Sequence, residues 1–258
     1  MEVGMQTTAG IWWESTGEGE PVLLINGLGS CSASWFRVLP ALRDYRVITF
    51  DNRGVGRTGH RPEPFDLATL ASDAIAVLDA AGVTRAHVLG LSMGGLIAQE
   101  FALSHPDRVS SLMLVSTHAG IPHLTVAASA VATMAALPPG ERSRALAPLL
   151  YVDQTPAAEI ARDEEVASAI PTTSEGLRSQ LVAAAPWDRY ADLHQLAVPV
   201  LVLHGREDRL VPLSAGEKLA AAIPHSELVV VETAGHRLFT DQTTTAMDAI
   251  ADFLARAA

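Results

Sequence analysis

The pentapeptide Gly90-Leu91-Ser92-Met93-Gly94 constrains the fold of this 258-residue chain more than any other feature. It follows a short apolar run at residues 86–89, typical of a buried strand, and precedes residues 95–103, which are predicted to form a helix ending at His105-Pro106. A serine on a sharp turn from strand to helix projects its hydroxyl, and flanking glycines let the two elements pass close to the turn. The free N–H groups at the start of the helix favour nearby negative charge. The pattern therefore predicts a nucleophile for acyl transfer at Ser92.

Length and composition favour one domain with room for an inserted subdomain. Hydrophobic residues make up 48% of the chain, which argues against disorder, and the single cysteine, Cys31, excludes an intramolecular disulfide. The formal net charge of −11 argues against nucleic acid and anionic membranes as partners, because both attract basic patches. The sequence has no visible secretory signal, and no apolar run approaches the ~20 residues that span a bilayer. We therefore expect a cytoplasmic protein with no membrane partner.

Strand-like and helix-like segments alternate along the chain, which predicts a mostly parallel α/β sheet. An N-terminal hairpin is predicted from residue 3 to residue 15. Further strands are predicted at residues 21–25, 46–50, 111–115, 198–203 and 228–231, and further helices at residues 67–81 and from about residue 243 onward.

This alternation stops between residues 120 and 190, where helical patches are interrupted by prolines and no strand is predicted. Residues 125–137 are almost wholly small and apolar, and predict either a lid helix facing an apolar cleft or a helix packed in the core. An insertion here would lie over the carboxyl ends of the strands, where open α/β sheets bind ligands. We therefore expect a core formed by residues 1–119 and 191–258 and a helical cap formed by residues 120–190.

Two residues downstream of Ser92 could activate it. A serine hydroxyl is a weak nucleophile unless a base takes its proton and an acid orients that base. Asp208 lies in the loop directly after the strand predicted at residues 198–203, and His236 follows the last predicted strand. Because the carboxyl ends of parallel strands meet at one edge of a sheet, we expect Asp208 and His236 beside Ser92. Serine, aspartate and histidine also follow each other in the chain order found in α/β-hydrolases.

The whole chain resembles the α/β-hydrolase superfamily, in particular its serine esterases and lactonases with a helical cap. The pentapeptide is similar to the nucleophile elbow, residues 204–208 to the catalytic-acid loop, and Gly235-His236 to the catalytic-histidine loop. Residues 51–58 are similar to another turn of the family, and Asn26-Gly27-Leu28-Gly29 follows the first central strand, where the family usually carries a His-Gly turn. The resemblance implies a mostly parallel eight-stranded sheet flanked by helices, with an inserted helical cap.

The resemblance also implies roles for individual residues. Ser92, His236 and Asp208 would form a catalytic triad, in which His236 is the base and Asp208 orients it. The backbone N–H groups of Leu28 and Met93 would form the oxyanion hole by their positions in the two turns.

One residue of the oxyanion turn departs from the family pattern. Asn26 stands where a histidine is more usual. Because the donor is a backbone group of Leu28, the hole can survive the change, but a different side chain must hold the loop. At the acid position, Glu207 is the rival of Asp208, and the family's spacing from Gly205 favours Asp208.

Two further residues are candidates for the wall of a pocket. Cys31 follows the oxyanion turn, although a small buried thiol without chemistry is an alternative. His118 follows the strand predicted at residues 111–115 and leads toward the cap, with a hinge or surface role as the alternative. The histidines form no H-x-x-x-H pair or other tight cluster, so we expect neither a metal site nor a cofactor.

The glycines at positions 54, 56 and 59 formally match a dinucleotide-binding fingerprint. The prolines at positions 62 and 64 prevent the helix whose N-terminus would bind a pyrophosphate. We therefore expect a tight turn that Asp51 and Arg53 brace.

Together these features predict a serine hydrolase of small, largely apolar carboxylic esters, with lactones and thioesters as related substrates. The scarcity of basic side chains in residues 120–190 argues against a highly anionic substrate. Serine instead of aspartate at position 92 argues against dehalogenase or epoxide-hydrolase chemistry, and the lack of Trp-Pro after Gly27 argues against a cofactor-free perhydrolase. The alternative is a non-hydrolytic protein of the same fold, a small-molecule receptor or a biosynthetic cyclase. The sequence predicts neither the native substrate nor the oligomeric state.

Overall fold

The centre of the molecule is an eight-stranded sheet with the strand order β1-β2-β4-β3-β5-β6-β7-β8. The structure, a computed structural model, describes residues 4–60, 63–124, 137, 139–170 and 172–257. The strands are β1 Met5–Gln6, β2 Trp12–Thr16, β3 Pro21–Ile25, β4 Arg46–Phe50, β5 Ala86–Leu91, β6 Val109–Val115, β7 Val200–Gly205 and β8 Glu227–Val231. Strand β2 pairs antiparallel with β1 and β4, and all other neighbours are parallel.

Helices cover the sheet, and three of the described helices lie between β6 and β7 in the chain. The described α-helices are α1 Leu67–Ala80, α2 Met93–Ser104, α3 Pro139–Leu150, α4 Ala157–Ala169, α5 Ser174–Ala184, α6 Leu213–Ala222, α7 Leu238–Asp241 and α8 Thr243–Ala257. Helices α3, α4 and α5 belong to residues 120–190, which we call the cap segment. An isolated antiparallel bridge between Gly120 and Asp188 brings the two ends of this segment together.

The hydrophobic core lies on both faces of the sheet. Successive side chains of a strand point to opposite faces, so Leu23 and Ile25 of β3 pack in the cluster that contains α1 and α2. Val22 and Leu24 of the same strand pack in the other cluster, with α8. A strand that is buried on both faces is continuously apolar, as β3 is.

The predicted α/β fold with a mostly parallel eight-stranded sheet is confirmed, and β3 and β4 have the predicted bounds. Helix α2 begins at Met93, two residues earlier than predicted, because the chain enters the helix directly after the serine turn. Other strand boundaries were predicted wrongly: β5 ends at Leu91, β6 begins at Val109, β7 runs over Val200–Gly205 and β8 begins at Glu227. Pro199 has no N–H to donate to a neighbouring strand, which agrees with the start of β7 one residue later.

The lid or core helix predicted at residues 125–137 falls almost entirely outside the described residues. Among the helices that the structure describes, none combines the length and the apolar character needed to cross a bilayer.

Candidate active site

Ser92 occupies a strained turn between β5 and α2. Its backbone has φ 56° and ψ −120°, a conformation that residues other than glycine rarely adopt. The surrounding strands hold it there, because the Ser92 N–H donates to the carbonyl of Val115 at 2.9 Å and the hydroxyl of Thr117 donates to the carbonyl of Ser92 at 2.6 Å. The Ser92 side chain makes no capping hydrogen bond to α2. The turn therefore presents the hydroxyl for another purpose.

Both glycines of the pentapeptide are required by close backbone approaches. A Cβ atom on Gly90 would collide with the carbonyl of Gly94, and one on Gly94 would collide with the carbonyl of Ile25. The elbow can form only where strand, turn and helix approach without side chains, which explains the two glycine positions.

His236 and Asp208 lie beside Ser92 in a continuous chain of hydrogen bonds. The Ser92 hydroxyl donates to His236 Nε2 at 3.1 Å, and His236 Nδ1–H donates to Asp208 Oδ2 at 2.8 Å. Asp208 and His236 are both buried, at 5% and 6% exposure. This arrangement fixes the neutral imidazole with its proton on Nδ1 and its lone pair toward the serine, the geometry of a general base.

Asp208 is oriented by its own loop. Its Oδ1 accepts the backbone N–H groups of Leu210 and Val211 at 2.9 and 2.8 Å, which leaves Oδ2 for His236. His236 pairs with Asp208 at 2.8 Å, and no hydrogen bond or ion pair joins it to the rival acid, Glu207, in the described part of the chain.

The loop that carries His236 is held on both sides. The Gly235 N–H donates to Asp241 Oδ2 at 2.7 Å. The Arg237 N–H donates to the carbonyl of Leu150 at 2.9 Å, so the cap segment contacts the histidine loop directly.

Leu28 and Met93, whose amides are assigned to an oxyanion hole, both lie near Ser92. Leu28 and Met93 line the same cavity as Ser92, and neither backbone N–H donates a hydrogen bond within the described part of the chain. Met93 is the first residue of α2, where the N–H groups have no intrahelical partner. A Cβ atom on Gly27 would lie 3.2 Å from Ser92 Cβ, so the turn before Leu28 packs directly on the elbow.

Ser92 and His236 open into a cavity of about 720 Å³ between the sheet edge and the cap segment. Most of its lining side chains are apolar. They include Leu28, Met93, Leu146, Leu177, Leu181 and Leu210. Among the described residues, the charged side chains at its wall are two arginines and two glutamates, so these formal charges balance. The cavity can therefore bury an apolar group of several carbon atoms beside the serine.

His118 lines this cavity and is held as a neutral imidazole. Its Nδ1 accepts the N–H of Gly120 at 3.1 Å, so the ring proton lies on Nε2. Burial lowers the pKa of His118 to about 4. The hydrogen bond with Gly120 opposes this shift to a smaller extent, and the neighbouring histidines lower the pKa slightly further. His118 thus brings an N–H donor to the cavity at neutral pH.

Cys31 also lines the cavity and is 3% exposed. Burial raises the pKa of its thiol, and the nearby negative charge of Asp51 raises it further. A raised pKa lowers the fraction of reactive thiolate.

The sequence did not identify Gln180 and Thr172, which bind the oxyanion turn from the cap segment. Gln180 Oε1 accepts the Gly29 N–H at 2.9 Å, and Thr172 Oγ1 donates to the Gly29 carbonyl at 2.8 Å. One sequence signal was available for Gln180: it stands between Leu177 and Leu181 on a predicted helical patch, a polar side chain on an otherwise apolar face.

The glycine-rich stretch at residues 51–59 forms a closed turn. The Gly54 N–H donates to the carbonyl of Gly59 at 2.9 Å, and Asp51 Oδ2 accepts the N–H of Arg57 at 2.7 Å. The predicted role of Arg53 in bracing the turn is wrong, because its side chain pairs with Asp73 of α1 at 2.6 Å. The next described helix begins only at Leu67.

In the part of the chain that the structure describes, no three histidine, cysteine, aspartate or glutamate side chains are grouped so that they could hold a metal ion.

The fold and the geometry at the sheet edge are those of an α/β-hydrolase, and the chain belongs to that family. Residues 20–184 match the family described as alpha/beta hydrolase fold, and residues 179–258 match the family described as TAP-like protein. This agrees with the resemblance in the nucleophile, acid and histidine loops.

Three relatives show how varied the named activities on this fold are. "Putative non-heme bromoperoxidase BpoC" of Mycobacterium tuberculosis is 31% identical over 254 residues, which cover 94% of this chain and 97% of that protein. "Putative carbamate hydrolase RutD" of Variovorax paradoxus is 31% identical over 257 residues, which cover 93% of each chain. The structure of a thermophilic esterase from Thermogutta terrifontis has a TM-score of 0.84 and 28% identity, and the match covers 100% of this chain and 99% of that chain. Family membership supports hydrolase chemistry in general, while the substrate has to be argued from the site.

Proposed function

We propose that the protein hydrolyses small, largely apolar carboxylic esters through an acyl-enzyme on Ser92. The observation that carries the proposal is the hydrogen-bonded chain Ser92–His236–Asp208 at the wall of a mostly apolar cavity. Lactones and thioesters present the same kind of carbonyl to the same nucleophile.

In the acylation half, the Ser92 oxygen attacks the acyl carbonyl while His236 Nε2 takes the hydroxyl proton. The carbonyl oxygen becomes an oxyanion, which the N–H groups of Leu28 and Met93 would stabilise. Loss of one such donor typically costs about 10²–10³ in kcat. The imidazolium that forms keeps its Nδ1–H on Asp208, whose negative charge stabilises it. As the tetrahedral species collapses, the alkoxide leaves with the proton from His236.

In the deacylation half, a water takes the place of the alcohol. His236 removes a proton from the water as its oxygen attacks the acyl carbonyl, and the same two N–H groups receive the second oxyanion. Collapse breaks the bond to Ser92, whose oxygen recovers the proton, and the carboxylic acid is released. The sequence of steps consumes one water and regenerates the resting hydrogen bonds.

The cavity wall supports an apolar acyl or alcohol group. The wall is mostly apolar, with leucine its commonest residue, and the two arginines and two glutamates among its described residues give it no excess of either charge. A substrate with a hydrocarbon part of several carbon atoms would gain about 0.8 kcal/mol for each methylene that it buries there.

His118 would supply a polar contact within this apolar wall. Its Nε2 carries the proton, and its low pKa keeps the ring neutral at physiological pH. A neutral donor suits an uncharged acceptor on the substrate, such as a second ester, ether or carbonyl oxygen.

Turnover of p-nitrophenyl acetate and p-nitrophenyl butyrate tests the proposal directly. We expect hydrolysis of both, and mass spectrometry after treatment with a fluorophosphonate should place the label on Ser92. A folded protein that neither turns over these esters nor takes the label would contradict the esterase function and favour a receptor or cyclase. A label on another residue would refute the site.

Two further substrates separate the proposal from the activities named for the relatives. BpoC is named as a bromoperoxidase and RutD as a carbamate hydrolase. We expect ester hydrolysis to exceed both perhydrolysis with hydrogen peroxide and hydrolysis of an aryl carbamate at matched concentrations. A higher rate in either assay would reassign the substrate while leaving the role of Ser92 intact.

A further inference from the structure

The turn that carries Leu28 is not held by its own side chains. Asn26 is 1% exposed, and both polar atoms of its side-chain amide are buried without a hydrogen-bond partner among the described residues. Only its backbone is anchored, because the Asn26 carbonyl accepts Asn52 Nδ2 at 3.1 Å. This contact fixes the side of the turn before Leu28.

The side after Leu28 depends on the cap segment. Gly29 is bound at both of its backbone polar groups, its N–H by Gln180 Oε1 at 2.9 Å and its carbonyl by Thr172 Oγ1 at 2.8 Å. The Leu28 amide, which is assigned to the oxyanion hole, therefore lies between two anchored points of the backbone. The first anchor is in the core, and the second is made by Thr172 and Gln180, which lie 143 and 151 positions after Gly29 in the chain.

The side-chain amide of Gln180 can adopt only one orientation. It is fully buried, and its Nε2 donates to the carbonyl of Arg53 at 2.8 Å while its Oε1 accepts from Gly29. A flipped amide would place its NH₂ against the Gly29 N–H and its oxygen against the Arg53 carbonyl. Arg53 is itself fixed by a two-pronged pair with Asp73, at 2.6 and 2.7 Å.

A contact between two glycines lets α5 come close enough for this bridge. A Cβ atom on Gly54 would lie 2.9 Å from the carbonyl oxygen of Gly176, and one on Gly176 would collide with the carbonyl of Gly54. Gly176 is in the first turn of α5, one turn before Gln180. The start of α5 therefore packs backbone to backbone on the turn at residues 51–59.

From this geometry we infer that Gln180 is a positioning residue for the oxyanion hole, with Thr172 as its partner. By fixing both polar groups of Gly29, the two side chains hold the Leu28 N–H toward the substrate carbonyl. Part of the catalytic geometry would thus come from the cap segment, and the cap would contribute to kcat as well as to the shape of the pocket. The inference rests on the proposed acyl-transfer function of the same site.

Kinetics of Gln180→Leu test the inference, because leucine removes both hydrogen bonds at similar volume. We expect kcat for p-nitrophenyl butyrate to fall about 10–100-fold, since a misplaced donor weakens the transition state more than the ground state. KM should stay within about threefold, because the substrate carbonyl is not yet charged when it binds. Affinity for a trifluoromethyl ketone, which forms a reversible oxyanion on Ser92, should fall in parallel with kcat.

Three other variants refine the test. Gln180→Glu keeps an acceptor for the Gly29 N–H but loses the donor to Arg53, so its kcat should lie between those of the wild type and Gln180→Leu. Arg178→Ala changes an exposed residue of the same helix and should match the wild type. Val109→Ala removes buried volume at the far end of β6, and serves as the control for a loss of stability alone.

The outcomes separate this inference from the function on which it rests. The positioning role alone is overturned if two results coincide. The wild type reacts with a fluorophosphonate at Ser92, and Gln180→Leu keeps the wild-type kcat and ketone affinity per folded molecule. A wild type that neither reacts nor turns over esters overturns the function and the inference together. If Gln180→Leu does not fold, Thr172→Val removes the other contact to Gly29 with little change of shape, and the same readouts then decide.

Discussion

Asp208 accepts the backbone N–H of Val211 at 2.8 Å with one carboxylate oxygen, and this contact fixes what a substitution at Asp208 would do. In Asp208→Asn, the carbonyl oxygen of the amide must face the two loop N–H donors, so its NH₂ must face His236. The ring would then carry its proton on Nε2, toward Ser92, and could not act as a base. We expect kcat to fall about 10⁴-fold with the fold intact, measured by ester turnover and circular dichroism.

Glu207→Gln is the matched control for Asp208→Asn, because it changes the adjacent carboxylate in the same way. The His236 ring pairs with Asp208 and not with Glu207, so we expect substitution of Glu207 to change kcat by no more than about twofold. A large loss in Glu207→Gln, with little loss in Asp208→Asn, would reverse the assignment of the acid.

Substitutions of Ser92 separate its chemistry from its strain. Ser92→Ala should abolish ester turnover, by on the order of 10⁶ in kcat, and leave the melting temperature nearly unchanged because alanine suffers the same positive φ. Ser92→Gly should be more stable than Ser92→Ala by about 1 kcal/mol, since glycine adopts φ 56° without strain. Urea unfolding of the two variants measures the difference. A glycine variant less stable than the alanine variant would mean that the turn is not strained.

The sequence predicted that Ser92, Asp208 and His236 lie together because the information for this is local. Each of them lies within five residues of the end of an apolar strand, and parallel strands bring those ends to one edge whatever the details of packing. The short apolar runs at residues 21–25 and 46–50 also predicted β3 and β4 without error in their bounds.

The attachment of the oxyanion turn could not be predicted in the same way. The contacts of Gly29 with Gln180 and Thr172 join residues far apart in the chain, and no pattern within the turn indicates them. The sequence indicated only that Asn26 leaves the turn without its usual side chain. The role of Arg53 in bracing the turn was predicted wrongly for a related reason, because Asp73 becomes its neighbour only when α1 packs on the sheet.

His118 should make the stability of the protein depend on pH. Burial lowers its pKa from 6.5 to about 4, so between these values the unfolded chain binds more protons than the folded one. The free energy of unfolding is therefore highest above pH 6.5. It decreases as the pH falls toward 4, by about 3 kcal/mol in total. Urea unfolding between pH 7 and pH 4.5 measures this loss.

His118→Asn isolates the contribution of His118 to this pH dependence. Asparagine offers an oxygen to the Gly120 N–H but does not titrate, so the free energy of unfolding should fall less steeply with decreasing pH than in the wild type. Burial also lowers the pKa of His204, and that contribution remains in the variant. His60→Asn, at an exposed site, should follow the wild-type curve. Parallel curves for the wild type and His118→Asn would show that His118 is not held neutral.

Cys31 should be chemically inert and dispensable. Its thiol is buried and its pKa is raised, so we expect alkylation by iodoacetamide at pH 8 to be at least about tenfold slower in the native protein than in urea. Because Cys31 is the one cysteine of the chain, the alkylated mass measures its reaction directly. Cys31→Ala should keep ester turnover within about threefold, and a complete loss of activity would give the thiol a catalytic role.

The apolar cavity predicts that kcat/KM depends on the length of the acyl chain. Each methylene buried against the apolar wall of the cavity contributes about 0.8 kcal/mol. For p-nitrophenyl esters, kcat/KM should therefore rise about fourfold per carbon from acetate to hexanoate. Leu146, 6% exposed and part of the wall, gives the matched test. In Leu146→Trp the larger side chain fills part of the cavity. The increase in kcat/KM from acetate to hexanoate should therefore be smaller, while kcat/KM for acetate should stay near the wild-type value. A flat series in the wild type would mean that the acyl group does not enter the cavity, and the alcohol would then be its occupant.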